Sequence, residues 1–485
     1  MKRTPTSALA SLASLVSLAV VAAALTVASG GATAPPRSHA RGAATEAQEQ
    51  ATTTQQRLDA LRAARQAGLF GEREAVQARP AAGWLGERLL NAGTDDWEPA
   101  VAADPSAPWV YVLTTRYGQP KPCPGNCPVP YIVLERSSDG GHTWTKGIPL
   151  CACKGPGQFD PIIEVVPGTG HVYAVYMNGF NVVFVKSTDH GRTWSAPVST
   201  YGNVSWTDKP VLTTSADGRD VYASWNGPQG GDPWMAVSHD AGATWTQTKA
   251  VDSERYYFAY DATVLPSGTV VFSQGSLTYT GPGGDPEGVV KQHVLISTDR
   301  GRSWRDVVVD TVPVGEPCAD CRADYYLGHS SVSSNAGGDL VYAYDGATEP
   351  FGPQRIYVRR STDGGTTWSG RIALSVVGEN ATAPVLEFAG ARDVRLYYFQ
   401  TAGGDDPNLW NVWYRSSGDG GSTWTAPVKI SDASSGAEYK TAAGFFEPYG
   451  DYGEIAVTSR GKTIAVWGEG FSWLGPGGTW INVQT

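Results

Sequence analysis

Six acidic residues stand at the beginning of segments rich in β-branched and aromatic residues: Glu98, Asp160, Asp208, Asp261, Asp324 and Asp451. Carboxylates that crowd around one cavity repel one another, and this raises some of their pKa values into the range useful for proton transfer. The same side chains can instead accept hydrogen bonds from loop backbone N–H groups. A shared catalytic site requires that these segments surround a common axis.

Basic and aromatic residues accompany the acids in the neighbouring segments. We expect the catalytic residues among Asp160, Asp208, Asp261, Glu447 and Tyr449, where the tyrosine would be a nucleophile activated by a glutamate. We expect substrate contacts from Glu98, Arg116, Arg255, Arg322, Asp324 and Asp451, since three arginines can hold a carboxylate.

One turn repeats along the chain and identifies the elements that must position these residues. SSDGGHTW (137–144) recurs five more times, with its tryptophan at Trp194, Trp245, Trp304, Trp368 and Trp424. Intervals of 50 to 64 residues fit one four-stranded unit. Seven first strands can be counted, beginning near Glu98, Asp160, Asp208, Asp261, Asp324, Thr382 and Asp451.

These units predict an all-β fold, a seven-bladed β-propeller, with six blades as the alternative. The last unit shows three strands and lacks the turn. A fourth strand lent by the N-terminal end of the domain would close the ring and cover both sheet edges. The abundance of 58 Gly and 22 Tyr against 3 Met agrees with tight turns and aromatic-rich strands.

The repeated turn has the pattern Ser-x-Asp-x-Gly-x-Thr-Trp, carried first by Ser137, Asp139, Gly141, Thr143 and Trp144. It resembles the Asp-box, or bacterial neuraminidase repeat, of sialidase-like β-propellers, over roughly residues 95–485. The resemblance implies that fold and an activity on glycans. The Arg-Ile-Pro motif of sialidases is absent, and DDWEP (95–99) stands in its place.

We interpret the turn itself as structural. Its Asp and Ser side chains can accept backbone N–H bonds, its Gly supplies a positive φ, and its Trp packs on the blade. In an up-and-down blade this turn shares one face of the ring with other short turns, which we call the short-turn face. The opposite, long-loop face carries the segments 116–130, 275–292, 345–354 and 431–450, and a site is expected there.

The six cysteines also fall in segments of the long-loop face: Cys123, Cys127, Cys151, Cys153, Cys318 and Cys321. An even count in an exported protein favours disulfides. A bond within Cys151-Ala152-Cys153 would be strained, so we expect bridges between the 123/127 and 151/153 loops, and one between Cys318 and Cys321. A metal site formed by these thiols is the alternative.

Three functions stay open at this point. The first is a glycoside hydrolase with carboxylates at the mouth of the channel as acid and base. The second is a non-catalytic propeller that binds a carbohydrate or a protein. The third is a polysaccharide lyase, in which Tyr325, Tyr326 or His329 removes a proton next to a uronate and Arg322 neutralises its carboxylate.

The start of the chain and the composition set the expected location. Lys2 and Arg3 precede an uncharged apolar run, which predicts a signal peptide over 1–34 and a secreted, monomeric protein with no membrane span after cleavage. Residues 35–92 read as a linker or a short helix before the propeller at 93–485. A net charge of -10 argues against a nucleic-acid partner, and none is expected. No cofactor is expected, although oxygen ligands would suit calcium.

Overall fold

The computed structural model describes residues 43–68, 80–91, 93–118, 128–150, 155–204, 207–227, 231–279, 286–315, 317–318, 323–324, 328–403, 409–432, 437–438, 453–470 and 477–485. They belong to one compact unit, Ser38–Thr485. In the segments 43–53, 317–318, 323–324 and 437–438, and at position 286, only the backbone is described.

The described chain consists of one helix, 31 strands and the turns between them. The helix is α1 (Ala43–Ala67), and the first strand is β1 (Arg88–Leu89). Blade 1 contains β2 (Asp95–Ala103), β3 (Val110–Tyr117), β4 (Tyr131–Ser137) and β5 (Ile148–Pro149). Blade 2 contains β6 (Gln158–Val166), β7 (His171–Asn178), β8 (Val182–Ser187) and β9 (Val198–Ser199).

Blade 3 contains β10 (Asp208–Thr214), β11 (Val221–Asn226), β12 (Pro233–Ser238) and β13 (Thr246–Lys249). Blade 4 contains β14 (Tyr256–Val264), β15 (Val270–Tyr279), β16 (Pro286–Ser297) and β17 (Arg305–Pro313). The short pair β18 (Pro317–Cys318) and β19 (Ala323–Asp324) follows. Blade 5 contains β20 (Ser330–Ser334), β21 (Leu340–Ala347), β22 (Gln354–Ser361) and β23 (Ile372–Ala373).

Blade 6 contains β24 (Ala381–Phe388), β25 (Val394–Thr401), β26 (Leu409–Ser417) and β27 (Val428–Lys429). The two-residue strand β28 (Ala437–Glu438) pairs with both β26 and β30, so it links blades 6 and 7. Blade 7 contains β29 (Gly453–Val457), β30 (Thr463–Gly470) and β31 (Gly477–Val483).

The N-terminal strand β1 completes blade 7 and closes the ring. Arg88 pairs with Ile481 and Leu89 with Trp480, so β1 is the fourth strand of that blade. The first strands of the blades pack side by side around the axis, and β2 packs against both β6 and β29. The prediction of seven blades closed by an N-terminal strand is therefore confirmed, and the six-bladed alternative is wrong.

Neighbouring blades pack through the large apolar side chains of their sheets. Between blades 1 and 2, for example, Tyr111 and Ile132 pack in one buried cluster with Val172 and Tyr176. β-Branched and aromatic residues pack well on pleated sheet surfaces that a neighbouring blade covers. This packing makes the ring a rigid support for the loops at its two faces.

The repeated turn has the structural role that its composition predicts. In its first copy Ser137 Oγ accepts the N–H of Gly141 at 2.9 Å, and Asp139 Oδ1 accepts the N–H of Thr143 at 2.9 Å. The side chain of Trp144 donates to the carbonyl of Gly141 at 3.0 Å. The serine and aspartate bonds recur in all six copies.

We expect the turn serine to matter for stability. Changing Ser187 to alanine should lower the free energy of unfolding by about 1–2 kcal/mol, because the buried N–H of Gly191 loses its acceptor. Urea denaturation of the variant measures this. Ser267→Ala, in an exposed turn, is the control and should change stability by less than about 0.5 kcal/mol. Equal losses in the two variants would contradict a structural role for the turn.

The structure corrects two predicted boundaries on the long-loop face. The first strand of blade 5 begins at Ser330 and not near Asp324, because the link forms its own short ladder in which Pro317 pairs with Asp324. The predicted long loop 275–292 of blade 4 is mostly strand, since pairing continues as far as Tyr279 and Pro286. Blade 4 therefore extends further out from the ring than predicted.

The helix α1 occupies part of the segment predicted as a linker or short helix. It contacts β3 of blade 1. No helix in the described part of the chain has the length and apolar character needed to cross a membrane.

Candidate functional site

The two acids predicted at the beginning of blades 1 and 2 lie in a strained part of the first strands. Glu98 and Asp160 have φ values of 55° and 50°, and each precedes a proline. Both lie in β-bulges, where the register to the second strand shifts. Bulges turn side chains away from their regular direction and are common near functional sites.

Glu98 also serves as a backbone cap between blades. Its Oε2 accepts the N–H of Asp160 at 2.9 Å, and Thr115 Oγ1 donates to the same oxygen. The alternative prediction, that these acids cap backbone groups, is therefore confirmed for Glu98. Asp160 itself is buried, whereas Asp208 is half-buried at the first position of β10.

Asp261 lies inside its strand and not at its beginning, because β14 starts at Tyr256. Its Oδ2 accepts bonds from Ser331 Oγ at 2.5 Å and from the N–H of Val332 at 3.1 Å, both in blade 5. Its Oδ1 accepts the N–H of Ala262 at 2.7 Å. The carboxylate is thereby held in one orientation by two blades.

The two described arginines of the predicted substrate set lie on different blades. Arg116 of blade 1 is buried and donates to Asp96 through both Nε and Nη2, at 2.7 and 2.6 Å. Arg255, just before blade 4, donates to the carbonyl oxygens of Ser276 and Val289. The structure thus uses both guanidinium groups within their own blades and does not bring them together.

The remaining predicted residues lie outside the described residues, or only their backbone is described: Arg322, Asp324, Tyr325, Tyr326, Glu447, Tyr449, Asp451, Cys123, Cys127, Cys151, Cys153, Cys318 and Cys321. The signal peptide over 1–34 lies outside them too. The roles of these residues, the disulfides and the signal peptide stay predictions.

Four half-buried carboxylates on first strands form what we call the channel group: Glu164 of β6, Asp261 of β14, Glu387 of β24 and Glu454 of β29. They come from blades 2, 4, 6 and 7, yet their charges act on one another. Strands from opposite sides of a ring can interact in this way only across its axis. The channel group therefore faces the central channel.

The channel retains protons that carboxylates normally lose. Burial, followed by the charge of Asp261, raises the pKa of Glu387 to about 8. Burial raises the pKa of Asp261 to about 6, against the effect of its hydrogen bonds. Burial and then the neighbouring carboxylates raise the pKa values of Glu164 and Glu454 well above the usual range. Near neutral pH the channel thus holds both proton donors and a proton acceptor.

Only Asp261 of this group was predicted from the sequence. The signal for the others is a lone glutamate inside an apolar first strand, as in PIIEVV (161–166) and APVLEF (383–388). A central strand with both faces covered rarely carries a charge unless that charge has a function or a partner. Bulges shift the register of β6, β14 and β24 ahead of or at these acids, and the sequence does not reveal them.

A histidine–aspartate pair lies at the beginning of blade 5 and forms a hydrogen bond with blade 6. Asp345 Oδ2 accepts bonds from His329 Nδ1 at 3.0 Å and from Thr382 Oγ1 at 2.6 Å. The imidazole ring lies against the ring of Tyr260, with 5.0 Å between centroids. The aspartate fixes the orientation of the imidazole and assigns proton transfer to its Nε2.

Blade 4 contains hydrogen bonds in the order of a serine–histidine–aspartate triad. Ser276 Oγ lies 2.8 Å from His293 Nε2, and His293 Nδ1 lies 2.8 Å from Asp306 Oδ1. Arg255 Nε also donates to Ser276 Oγ at 2.8 Å. Ser276 and His293 are buried within the sheet, so no substrate carbonyl can reach the hydroxyl. We assign these residues to the stability of the blade.

No three His, Cys, Asp or Glu residues within the described ranges lie close enough together to hold a metal ion. The loops with Cys123, Cys127, Cys151 and Cys153 and the acid Asp451 lie outside those ranges, and of Cys318 and Asp324 only the backbone is described. Calcium binding therefore stays a prediction.

The fold and the first strands define the class of this protein as a seven-bladed β-propeller with an acidic channel. No protein-family model and no curated protein matches the sequence. Solved structures similar to this chain include a protein of unknown function, a sialidase and a polysaccharide lyase.

One is a protein of unknown function from Dyadobacter fermentans, with a TM-score of 0.48 and 15% identity over 83% of this chain and 99% of that one. The NanB sialidase of Streptococcus pneumoniae has a TM-score of 0.44 and 12% identity over 84% of this chain and 70% of its own. A polysaccharide lyase, the PL25 ulvan lyase, has a TM-score of 0.48 and 10% identity over 83% and 95%. These similarities concern the fold alone.

Proposed function

We propose that the protein is a secreted glycoside hydrolase in which Glu387 is the general acid and Asp261 the general base or nucleophile. The observation that carries the proposal is the difference in pKa between two carboxylates of the channel group. The pKa is about 8 for Glu387 and about 6 for Asp261. Between these values one carboxyl is protonated and the other ionised, as glycoside hydrolysis requires.

The charge of the channel restricts the substrate. At neutral pH Asp261 is the ionised member of the channel group, and the described arginines Arg116 and Arg255 are bonded within their blades. The carboxylate of an anionic sugar would therefore be repelled in the channel, and neither of these two arginines would hold it. We propose that the substrate is a neutral glycan, and that sialylated substrates are poor ones.

The test is an assay of the purified protein on neutral furanosidic and pyranosidic, sialylated and uronate-containing glycans. Glu387→Gln and Asp261→Asn are the test variants. Glu349→Gln and Asp252→Asn, at exposed positions, are the matched controls. Hydrolysis of a neutral glycan that only the test variants lose supports the proposal. Absence of product from every glycan, with binding retained, would identify a non-catalytic binding propeller instead.

A second candidate, eliminative cleavage of a uronate polymer, is favoured by the pair of His329 and Asp345. The imidazole would remove the proton next to the uronate carboxylate once the substrate displaces the residues that cover it, since His329 is only 4% exposed. The products separate the two candidates, because elimination leaves an unsaturated sugar that absorbs ultraviolet light. His329→Ala should abolish this product, whereas Glu387→Gln should not.

Export and a monomeric state belong to the proposal as predictions from the sequence. The basic and apolar start of the chain supports export. N-terminal sequencing of protein recovered from the culture medium tests it, and a mature chain that still begins at Met1 would contradict it.

A further inference from the structure

Helix α1 inserts an arginine into a pocket of blade 1 on the long-loop face. Arg57 Nη2 lies 3.0 Å from Asp95 Oδ1. Its guanidinium carbon lies 4.6 Å from the ring centroid of Trp97 and 4.6 Å from that of Tyr117. The cation therefore contacts two aromatic rings and one carboxylate, and it is 2% exposed.

The three pocket residues are built into the sheet and not into a loop. Asp95 and Trp97 belong to β2, and Tyr117 ends β3. All three are buried, and Asp95 Oδ1 also accepts the N–H of Gly477 in blade 7 at 2.8 Å. The strands thus hold the pocket in place independently of the helix.

Among the helix residues whose side chains are described, 54–67, a second arginine adds a hydrogen bond to the docking: Arg65 Nη2 donates to the carbonyl of Gly93 at 2.7 Å. Besides Arg57, only Leu61 and Ala64 are buried among residues 54–67. Leu61 packs against Gly118, where a Cβ would lie 2.6 Å from Leu61 Cδ2. Burial of one leucine is worth about 2 kcal/mol, so the buried Arg57 contributes a large share of the docking of the described residues 54–67. A segment held in this way can be exchanged for another.

We propose that Asp95, Trp97 and Tyr117 form a binding pocket for a guanidinium group, filled by Arg57 in the free protein and by an arginine side chain of a polypeptide partner when α1 leaves. A planar guanidinium stacks on aromatic faces and donates to a carboxylate in its plane, which an ammonium group does less well. The charges of Glu98 and Asp160 act on Tyr117 as well, and they add to the attraction of a cation.

The pocket lies at the mouth of the channel, since β2 lines the axis and begins on this face. A partner arginine that displaces α1 would thus act beside the mouth acids Glu98 and Asp160. The inference does not depend on glycan cleavage, because its test measures binding and helix docking only.

The first experiment uses the unmodified full chain and a synthetic peptide with the sequence of residues 54–67. Hydrogen exchange of the α1 amides is followed with and without saturating peptide. We expect the arginine peptide to speed the exchange of α1 at least about tenfold, by displacing it. The same peptide with alanine in place of Arg57 should leave the exchange unchanged. No acceleration by the arginine peptide, or equal acceleration by both peptides, would overturn the proposal.

Variants of the full chain give the second arm. Arg57→Ala should bind the arginine peptide at least about tenfold more tightly than the unmodified chain does, because the pocket has lost its internal occupant. Arg62→Ala, at an exposed position on the same helix, is the matched control and should bind as the unmodified chain does. Adding Asp95→Asn to Arg57→Ala should abolish the gain. A gain that persists without the carboxylate would overturn the assignment of the pocket.

Discussion

Replacing Glu387 by glutamine should lower kcat on the cleaved glycan about a thousandfold at pH 7. Glutamine keeps the shape of the side chain but cannot donate a proton to the leaving oxygen, and general acid catalysis typically contributes 10² to 10⁴ in rate, so about 10³ is the midpoint. Steady-state kinetics measure the loss. KM should change little, because the substitution removes a contribution made in the transition state.

The pH profile gives this result a second, independent readout. In the unmodified protein kcat/KM should fall below pH about 6, where Asp261 becomes protonated, and above pH about 8, where Glu387 loses its proton. The alkaline fall should disappear in Glu387→Gln. Glu349→Gln, an exposed control, should keep both limbs. A profile that keeps its alkaline limb in Glu387→Gln would assign the acid to another residue.

The second prediction with a large effect concerns how the folding stability of the protein depends on pH. Folding raises the pKa of Glu387 from 4.5 to about 8, so the folded state binds the proton more tightly than the unfolded one. The resulting stabilisation is complete below pH about 4.5 and is lost as the pH rises through about 8. Glu164 and Glu454 act in the same direction. The protein should therefore be most stable in mildly acidic solution.

Glu387→Gln should flatten this dependence and stabilise the protein at alkaline pH. A pKa unit corresponds to about 1.4 kcal/mol, and channel water screens part of the difference, so we expect a gain of about 2 kcal/mol at pH 9. Urea denaturation at pH 5, 7 and 9 measures it. The exposed control Glu349→Gln should follow the unmodified protein at all three pH values. A loss of stability in Glu387→Gln at pH 9 would contradict the account that the surroundings of Glu387 oppose its ionisation.

The architecture was accessible from the sequence because its signals are local and repeated. The turn at 137–144 recurs at a blade-length interval, and its bonds depend only on residues within five positions. The missing turn in the last unit pointed to a strand from elsewhere, which is β1. Boundaries failed where pairing continued into loops, as at Tyr279, or where a link formed its own ladder, as at Asp324.

The site was less accessible because it depends on contacts between blades. The bulges at Glu98 and Asp160 shift the register between the first and second strands, and they are visible only in the pairing. Glu164 and Glu387 are separated by more than 200 positions in the chain and interact across the channel. The docking of α1 involves Arg57, which lies between the rings of Trp97 and Tyr117. No periodicity in the sequence predicts this contact.

The most direct test of the channel chemistry is a carbon-13 NMR titration of protein labelled at the glutamate carboxyl carbons. The account predicts at least one glutamate with an apparent pKa near 8, and predicts that this titration is lost in Glu387→Gln. Titration of every glutamate close to the ordinary value of about 4.3 would contradict it.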